Sequence, residues 1–322
     1  MTERITTLRG RFMISMEFLQ DTVSSERIGS HVQALEGERH PVAAPEALER
    51  CADYLTESLR ALGYQMSEHL FQDNGRTFRN VIAGRTGLLR PGERVAILAH
   101  YDTVAGTPGA DDNASGVAVL LEMARALSQL SFERTVHFIG ICLEENQQED
   151  DPGSGTRGSA ALARHARAEG WDLTAVLVLE SVAYAGEHLV QTVPPGVPVQ
   201  VPEIGNFIAV VGNEGSVAIS QAFARSIEQH QVGLPHVVLT VPGNGELLPD
   251  SRRSDHAPFW DQGFPAVMLT DTTNFRNPHY HQPTDTLATL NLEFAAKVCR
   301  AACGAIIELA QLTGGSASAA SS

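Results

Sequence analysis

Three short apolar runs each end in histidine or carboxylates, and this feature constrains the chain most. RVAILAH (94–100) ends at His100, with Asp102 two residues on; TVHFIGICLEE (135–145) ends in Glu144 and Glu145; TAVLVLE (174–180) ends in Glu180. Runs this short and this continuously apolar read as strands buried on both faces of a sheet. In an open α/β sheet, ligands bind at the carboxyl ends of the strands. A single terminal carboxylate reads as a solvated cap. Several on neighbouring strands repel one another unless a cation sits among them.

The segments between these runs carry helical spacing. PEALERCADYLTESLRALGY (45–64) is amphipathic and stops at Gly63. NASGVAVLLEMARAL (113–127) follows the first run, with Asn113 and Ser115 as candidate caps. Gly158 and Ser159 open a further helix, and 215–230 and 291–312 read as two more. HVVLTV (236–241) and PAVMLTD (265–271) read as strands. The alternation predicts an α/β fold: a single-domain, mixed, largely parallel β-sheet flanked by helices on both faces. Residues 1–40 read as a helical N-terminal lead-in, 41–313 as the functional domain, and 314–322 (GGSASAASS) as a flexible tail. QTVPPGVPVQVPEIGN (191–206) is too rich in proline for a central strand. It and 242–254 are expected as loops over one end of the sheet.

Composition excludes several functions. Across 322 residues, 43% hydrophobic and 19% charged is an ordinary folded chain, and no linker divides it. With 23 basic against 38 acidic residues the formal charge is -15, which argues against nucleic-acid partners. No apolar run reaches the ~18 residues of a membrane span. The first residues lack a secretory h-region, so the expected location is cytoplasmic. Cys51, Cys142, Cys299 and Cys303 have neither disulfide-framework nor zinc-finger spacing and are expected as buried thiols. Nothing in the chain specifies an oligomeric state.

HYDTVAGTPGADDNASG (100–116) sharpens the chemistry. His100 offers a neutral nitrogen ligand. Asp102, on the same side of the strand, is placed to accept the other imidazole N–H. Gly106 and Gly109 permit a return loop that delivers Asp111, Asp112 and Asn113 to a helix start; capping accounts for only one of these. NPHYHQPTDT (277–286) supplies His279, Tyr280, His281 and Asp285, and SDHAPFW (254–260) adds Asp255 and His256 as a far wall. There is no G-x-S-x-G elbow and no Walker lysine.

These residues resemble the co-catalytic two-zinc exopeptidases of the bacterial aminopeptidase type, whose relatives include glutamate carboxypeptidase and glutaminyl cyclase. The matching pieces are HYD, PGADDNASG, LEEN, GS at 158–159, LES, SDHAPFW and YHQPTDT, spanning about 100–286. The resemblance implies the zinc exopeptidase fold and two zinc ions, with manganese or cobalt able to take the same donors. It gives His100 and Glu180 to one ion, Glu145 and His281 to the other, and Asp112 to both. Glu144 becomes the general base for the attacking water and Tyr280 a donor to the oxyanion. Asp102 stands behind His100, and Asp255 lies further out. A cis peptide at Asp112–Asn113 is also implied. The substrate is a peptide or amino-acyl compound, and the activity that of an aminopeptidase. A dipeptidase, carboxypeptidase or N-acyl amidohydrolase remains open, with Arg252, Arg253 and Arg276 available to a substrate carboxylate. A glutaminyl-cyclase-like transferase or a non-catalytic binding domain is a more distant alternative; binding domains typically lose ligands and base. The chain departs from the family at two places. Glu180 stands where many members have Asp, so it must be set back or coordinate differently. NQQEDDPGSGTR follows Glu145, bringing Glu149, Asp150 and Asp151 beside the site as a solvated loop or a pocket wall.

Overall fold

A computed structural model describes residues 5–8, 11–14, 16–146 and 154–313. The tail 314–322 and the acidic residues Glu149, Asp150 and Asp151 lie outside the described residues. The lead-in, expected to be helical, opens instead with a hairpin: β1 (Ile5–Leu8) pairs antiparallel with β2 (Arg11–Ile14). ITTL and RFMI are rich in β-branched and aromatic residues, which favour a strand. Helices α1 (Met16–Thr22) and α2 (Ser25–Leu35) follow. Ser24 caps α2 by accepting the Arg27 N–H, and Ile28, Val32 and Leu35 form its buried stripe.

Helix α3 (Pro45–Ala61) begins on proline, whose missing N–H costs nothing in the first turn. It buries Leu48, Ala52, Leu55 and Leu59. The sequence reading has no elements between this helix and residue 94. The structure has the hairpin β3 (Gln65–Asp73) and β4 (Arg76–Arg85), turning at Asn74 and Gly75 with φ of 47° and 74°. A two-residue turn with both φ positive is what Asn-Gly favours. The remaining elements are β5 (Arg90–His100), α4 (Gly116–Leu127), β6 (Arg134–Ile141), α5 (Arg157–Ala168), β7 (Asp172–Glu180), β8 (Ile208–Asn213), α6 (Val217–Gln229), β9 (His236–Val241), α7 (Ala257–Asp261), β10 (Ala266–Thr270) and α8 (Leu292–Ala310).

Strands β3 to β10 form one 8-stranded sheet in the order β3-β4-β6-β5-β7-β10-β8-β9. The central run β6-β5-β7-β10 is parallel, as is β8-β9; β3-β4, β4-β6 and β10-β8 are antiparallel. Alternate residues of β5 serve opposite cores. Val95, Ile97 and Ala99 join the layer with α4, α6 and α8, while Ala96 and Leu98 join Leu162 of α5 and Phe259 and Trp260 of α7. Each fully buried aliphatic side chain contributes about 1.5–3 kcal/mol, so both helical layers are needed to cover the sheet.

Because the central strands run in parallel, their carboxyl ends lie at one edge. His100 and Glu180 are the last residues of β5 and β7. Strand β6 stops at Ile141, short of the expected 145, so Glu144 and Glu145 lie on the loop beyond it. The proline-rich 191–206 contains no strand or helix; it is held by the Val190–Ile204 bridge and by main-chain bonds from Gln191 to Glu203 and from Thr192 to Phe275. All four cysteines are buried and unpaired. Among the described residues no helix is long and apolar enough to cross a membrane.

Candidate metal centre

Two ligand clusters meet at this edge. In one, His100 Nε2 lies 3.2 Å from Asp112 Oδ1 and 3.4 Å from Glu180 Oε2. In the other, His281 Nε2 lies 3.3 Å from Asp112 Oδ2 and 3.3 Å from Glu145 Oε2. Asp112 thus offers one oxygen to each. Ligands held ~2.0–2.1 Å from a tetrahedral ion are about 3.3 Å apart, which is the spacing observed. His100 Nε2, Asp112 Oδ1, Glu145 Oε1 and His281 Nε2 are buried without a hydrogen-bond partner. Orphaned polar atoms at this density fit residues that hold a cation. Electrostatics agree. Burial opposes charge on His281, but Glu145 and Asp112 outweigh it and push the imidazole up to about 10. Burial and the neighbouring Asp112 raise the Glu145 carboxyl to about 7, against the pull of His281. The donor set of imidazoles and carboxylates suits zinc.

Each ligand is held by backbone geometry the sequence encodes. Gly109 has φ 59°, and a Cβ there would lie 2.4 Å from Thr103 Cγ2. Asp285 fastens the following turn by accepting the N–H groups of Asp111 (2.9 Å) and Asp112 (3.1 Å). The Asp112–Asn113 peptide is cis. Asn113 Oδ1 accepts the N–H of Gly116 and of Ser181, and its amide donates to Leu179 O, tying the turn to the end of β7. Ser115 is not a cap: its hydroxyl donates to Asp111 O and accepts the Val182 N–H. Glu180 Oε2 accepts the Ser254 hydroxyl at 2.7 Å, which aims its longer side chain. Leu143, Ser181 and His281 have positive φ of 61°, 47° and 58°. Non-glycine residues in that region cost about 1–3 kcal/mol each, and here they flank or form the site. Gly158 is required because a Cβ would lie 1.8 Å from Cys142 O.

Around the clusters, Asp102 accepts the backbone N–H groups of Glu144 and Glu145 at 3.1 Å each. His100 Nδ1 stands 3.6 Å from Asp102 Oδ1, long for a hydrogen bond. Glu144 lines the cleft. Burial pushes its carboxyl well up, and Glu180, Glu145 and Asp255 push the same way while His100 opposes. Tyr280 stacks on His281 with ring centroids 3.8 Å apart. Asp255 is buried, and its carboxyl is raised to about 7 by burial, with His100 and Ser159 opposing. His256, expected on the far wall, turns away: its Nε2 donates to Ser251 O and its ring meets Trp260 edge-on. His279 likewise engages Thr284 and Tyr184.

Sequence reasoning missed several supports. Arg39, buried, donates to the carbonyls of Leu35, Gly37, Tyr101, Pro108 and Gly109. Asp271 holds the Tyr184 and Thr273 N–H groups beside Asp111, itself bound by Asn277. Most of their partners, Tyr101, Pro108 and Gly109 for Arg39, Tyr184 for Asp271 and Asn277 for Asp111, are distant in sequence, so no local pattern announces them.

An α/β sheet whose parallel strand ends carry two histidine–carboxylate clusters sharing one aspartate defines a metallohydrolase. The chain belongs to peptidase family M28, whose model matches residues 80–306. It is 31% identical over 290 residues to the uncharacterized protein YfbL of Escherichia coli (strain K12), covering 85% of each chain. A probable leucine aminopeptidase of Arthroderma otae is 28% identical over 231 residues, 67% of this chain and 53% of that one, so the chain matches about half of that relative's length. The structure of BSAP, a zinc aminopeptidase from Bacillus subtilis, superposes with a TM-score of 0.69 at 16% identity over 90% of this chain and 98% of that one, which establishes a shared fold.

Proposed function

We propose that the chain is a zinc-dependent aminopeptidase that hydrolyses the N-terminal peptide bond of a peptide or amino-acyl substrate. The observation that carries this is the pair of clusters joined through Asp112, at tetrahedral-edge spacing, with Glu144 beside them in the cleft. His100, Asp112 and Glu180 would hold one zinc ion, and Asp112, Glu145 and His281 the other; manganese or cobalt would suit the same donors. Bound there, the ions supply Lewis acidity, polarising the scissile carbonyl and lowering the proton affinity of the attacking water.

The chain's own groups do the rest. Glu144 takes the water's proton and delivers it to the leaving amine nitrogen. The Tyr280 O–H donates to the oxygen that becomes negative as the carbonyl turns tetrahedral. Asp102 fixes the backbone that carries Glu144 and Glu145. The substrate's first side chain enters the apolar side of a cleft of about 1030 Å³, walled by Val197 and Val199 of the proline-rich segment, by Phe207 just before β8, and by Val211, Leu239 and Met268 of the sheet. The name of the fungal relative, a leucine aminopeptidase, supports an apolar first residue. Residues 41–313 form the catalytic unit. The four buried free thiols support a reducing, cytoplasmic location.

The test compares leucyl-p-nitroanilide with its N-acetyl form on zinc-loaded and chelator-treated protein. Cleavage of the free amine alone, lost on metal removal, is expected. Equal cleavage of both forms moves the assignment to an N-acyl amidohydrolase.

A further inference from the structure

Of the arginines near the site, two are committed to the scaffold. Arg252 pairs with both oxygens of Asp261 at 2.8 and 3.0 Å and donates to Asn244 O. Arg276 is buried over the Phe207 ring and donates to Gln191 Oε1 and Phe207 O. Arg253 is different. It lines the cleft, with its Nη1 on Asn274 Oδ1 at 3.0 Å and 3.5 Å from Asp250 Oδ1. Its Nη2 donates to Tyr280 Oη at 3.3 Å, and its Cζ lies 5.9 Å from the Tyr280 ring centre. The Tyr280 ring is in turn stacked on His281. The three side chains form a continuous line from the metal-ligand cluster to the cleft wall.

A phenol carries one donor hydrogen and two acceptor lone pairs, whereas a guanidinium only donates. Arg253 therefore occupies a lone pair of Tyr280 and leaves its hydrogen free for an acceptor in the cleft. A cation donating to the phenol oxygen also polarises the O–H, strengthening it as a donor. We infer that Arg253 is a positioning residue that acts through Tyr280, aiming and strengthening the phenol O–H toward the substrate's developing oxyanion. This rests on the hydrolytic reading above and assigns a role to the cleft arginine whose guanidinium also reaches Tyr280.

The test uses zinc-loaded wild type, R253M, R253K, Y280F and R253M/Y280F on two substrates: leucyl-p-nitroanilide, which has no carboxylate, and leucylglycine, which has one. R253M is expected to lower kcat roughly 10–100-fold on both substrates with KM little changed. R253K should recover part of the loss. The double variant should be no slower than Y280F alone, because the arginine has nothing to act on once the phenol is gone. Affinity for a leucine phosphonate, which mimics the tetrahedral oxygen, should fall in R253M while affinity for leucine does not. Metal content and Tm serve as controls for folding. A loss confined to KM for leucylglycine makes Arg253 a direct partner of the substrate carboxylate and overturns the inference. Losses that multiply in the double variant also overturn it. If wild type cleaves neither substrate, the hydrolytic reading fails and takes this inference with it; an active wild type with an unaffected R253M sinks the inference alone.

Discussion

Asp102 holds Glu144 through the main chain: its Oδ1 accepts the Glu144 N–H at 3.1 Å, and Oδ2 takes the next N–H, that of Glu145, at the same distance. The two residues lie on the loops that follow neighbouring parallel strands, β5 and β6. The carboxylate that follows β5 therefore sets where the Glu pair beyond β6 can sit, and it does so by bonds to backbone that side-chain identity does not affect. Burial works against the Asp102 charge, but His100 and these two N–H groups hold its carboxyl below the ordinary range.

Asp102→Ala removes both acceptors and leaves two buried N–H groups unpaired. Metal affinity, read by competition with a chromophoric chelator, should drop about 10–100-fold, with the Glu145-containing site weakened along with the His100 site. Asp102→Asn keeps one acceptor and should fall between. Loss at the His100 site alone would mean that the aspartate serves the imidazole and not the Glu pair.

Glu144→Gln and Glu145→Gln should separate base from ligand. Glutamine keeps the shape of Glu144 but cannot accept the proton, so turnover should fall ~10²–10⁴-fold with metal content intact. At Glu145 an amide replaces a carboxylate in the cluster with Asp112 and His281, so one metal equivalent should be lost. Metal analysis beside kcat checks both; a Glu144→Gln protein that loses a metal while Glu145→Gln keeps both reverses the roles.

Much of this arrangement is legible in the sequence because the chemistry sits where apolar runs stop. His100 and Glu180 end strands that are apolar on both faces, and continuous apolar runs are hard to misread. The β3–β4 hairpin escaped because its outer strand is polar and mostly exposed; Asn74-Gly75 was the available signal. Strand β8 is short and follows the proline-rich segment, which masked it. His256 sits in a site-like motif, yet its ring serves Ser251 and Trp260, a choice only packing decides. The grip of Asp102 on main-chain N–H groups has no sequence signature, and neither does that of Asp285. Ser254, which aims Glu180, is legible only once β7 and the loop before α7 are side by side.

His137 should make stability fall in mild acid. Burial, helped by the Arg94 cation, lowers its imidazole from 6.5 to about 4, and its ring stacks on Trp171. The folded state thus favours neutral His137. That contribution is fully present above pH 6.5 and is lost as pH falls from 6.5 toward 4, amounting to roughly 3 kcal/mol. In denaturant unfolding of wild type against His137→Gln, the stability difference should shrink by up to ~1.4 kcal/mol per pH unit across this window. A difference independent of pH would show that the imidazole titrates normally.

Met268 should set which first residue is accepted. It lies on β10 directly across from Val211 on β8, and both face the apolar cleft. A bulkier side chain there shortens the space left for the substrate without touching the metal ligands, since Glu180 lies opposite Thr270, two residues further along the strand. Met268→Trp is therefore expected to raise KM or lower kcat/KM for leucyl and phenylalanyl anilides about 10–200-fold, while alanyl anilide changes little. Crowding a packed interior instead of an open cleft would cost about 1–3 kcal/mol of stability and depress all three substrates alike. The ratio of kcat/KM for leucyl over alanyl anilide, measured beside Tm, separates the two outcomes. A ratio that stays at the wild-type value removes Met268 from the substrate cleft and places the first side chain elsewhere.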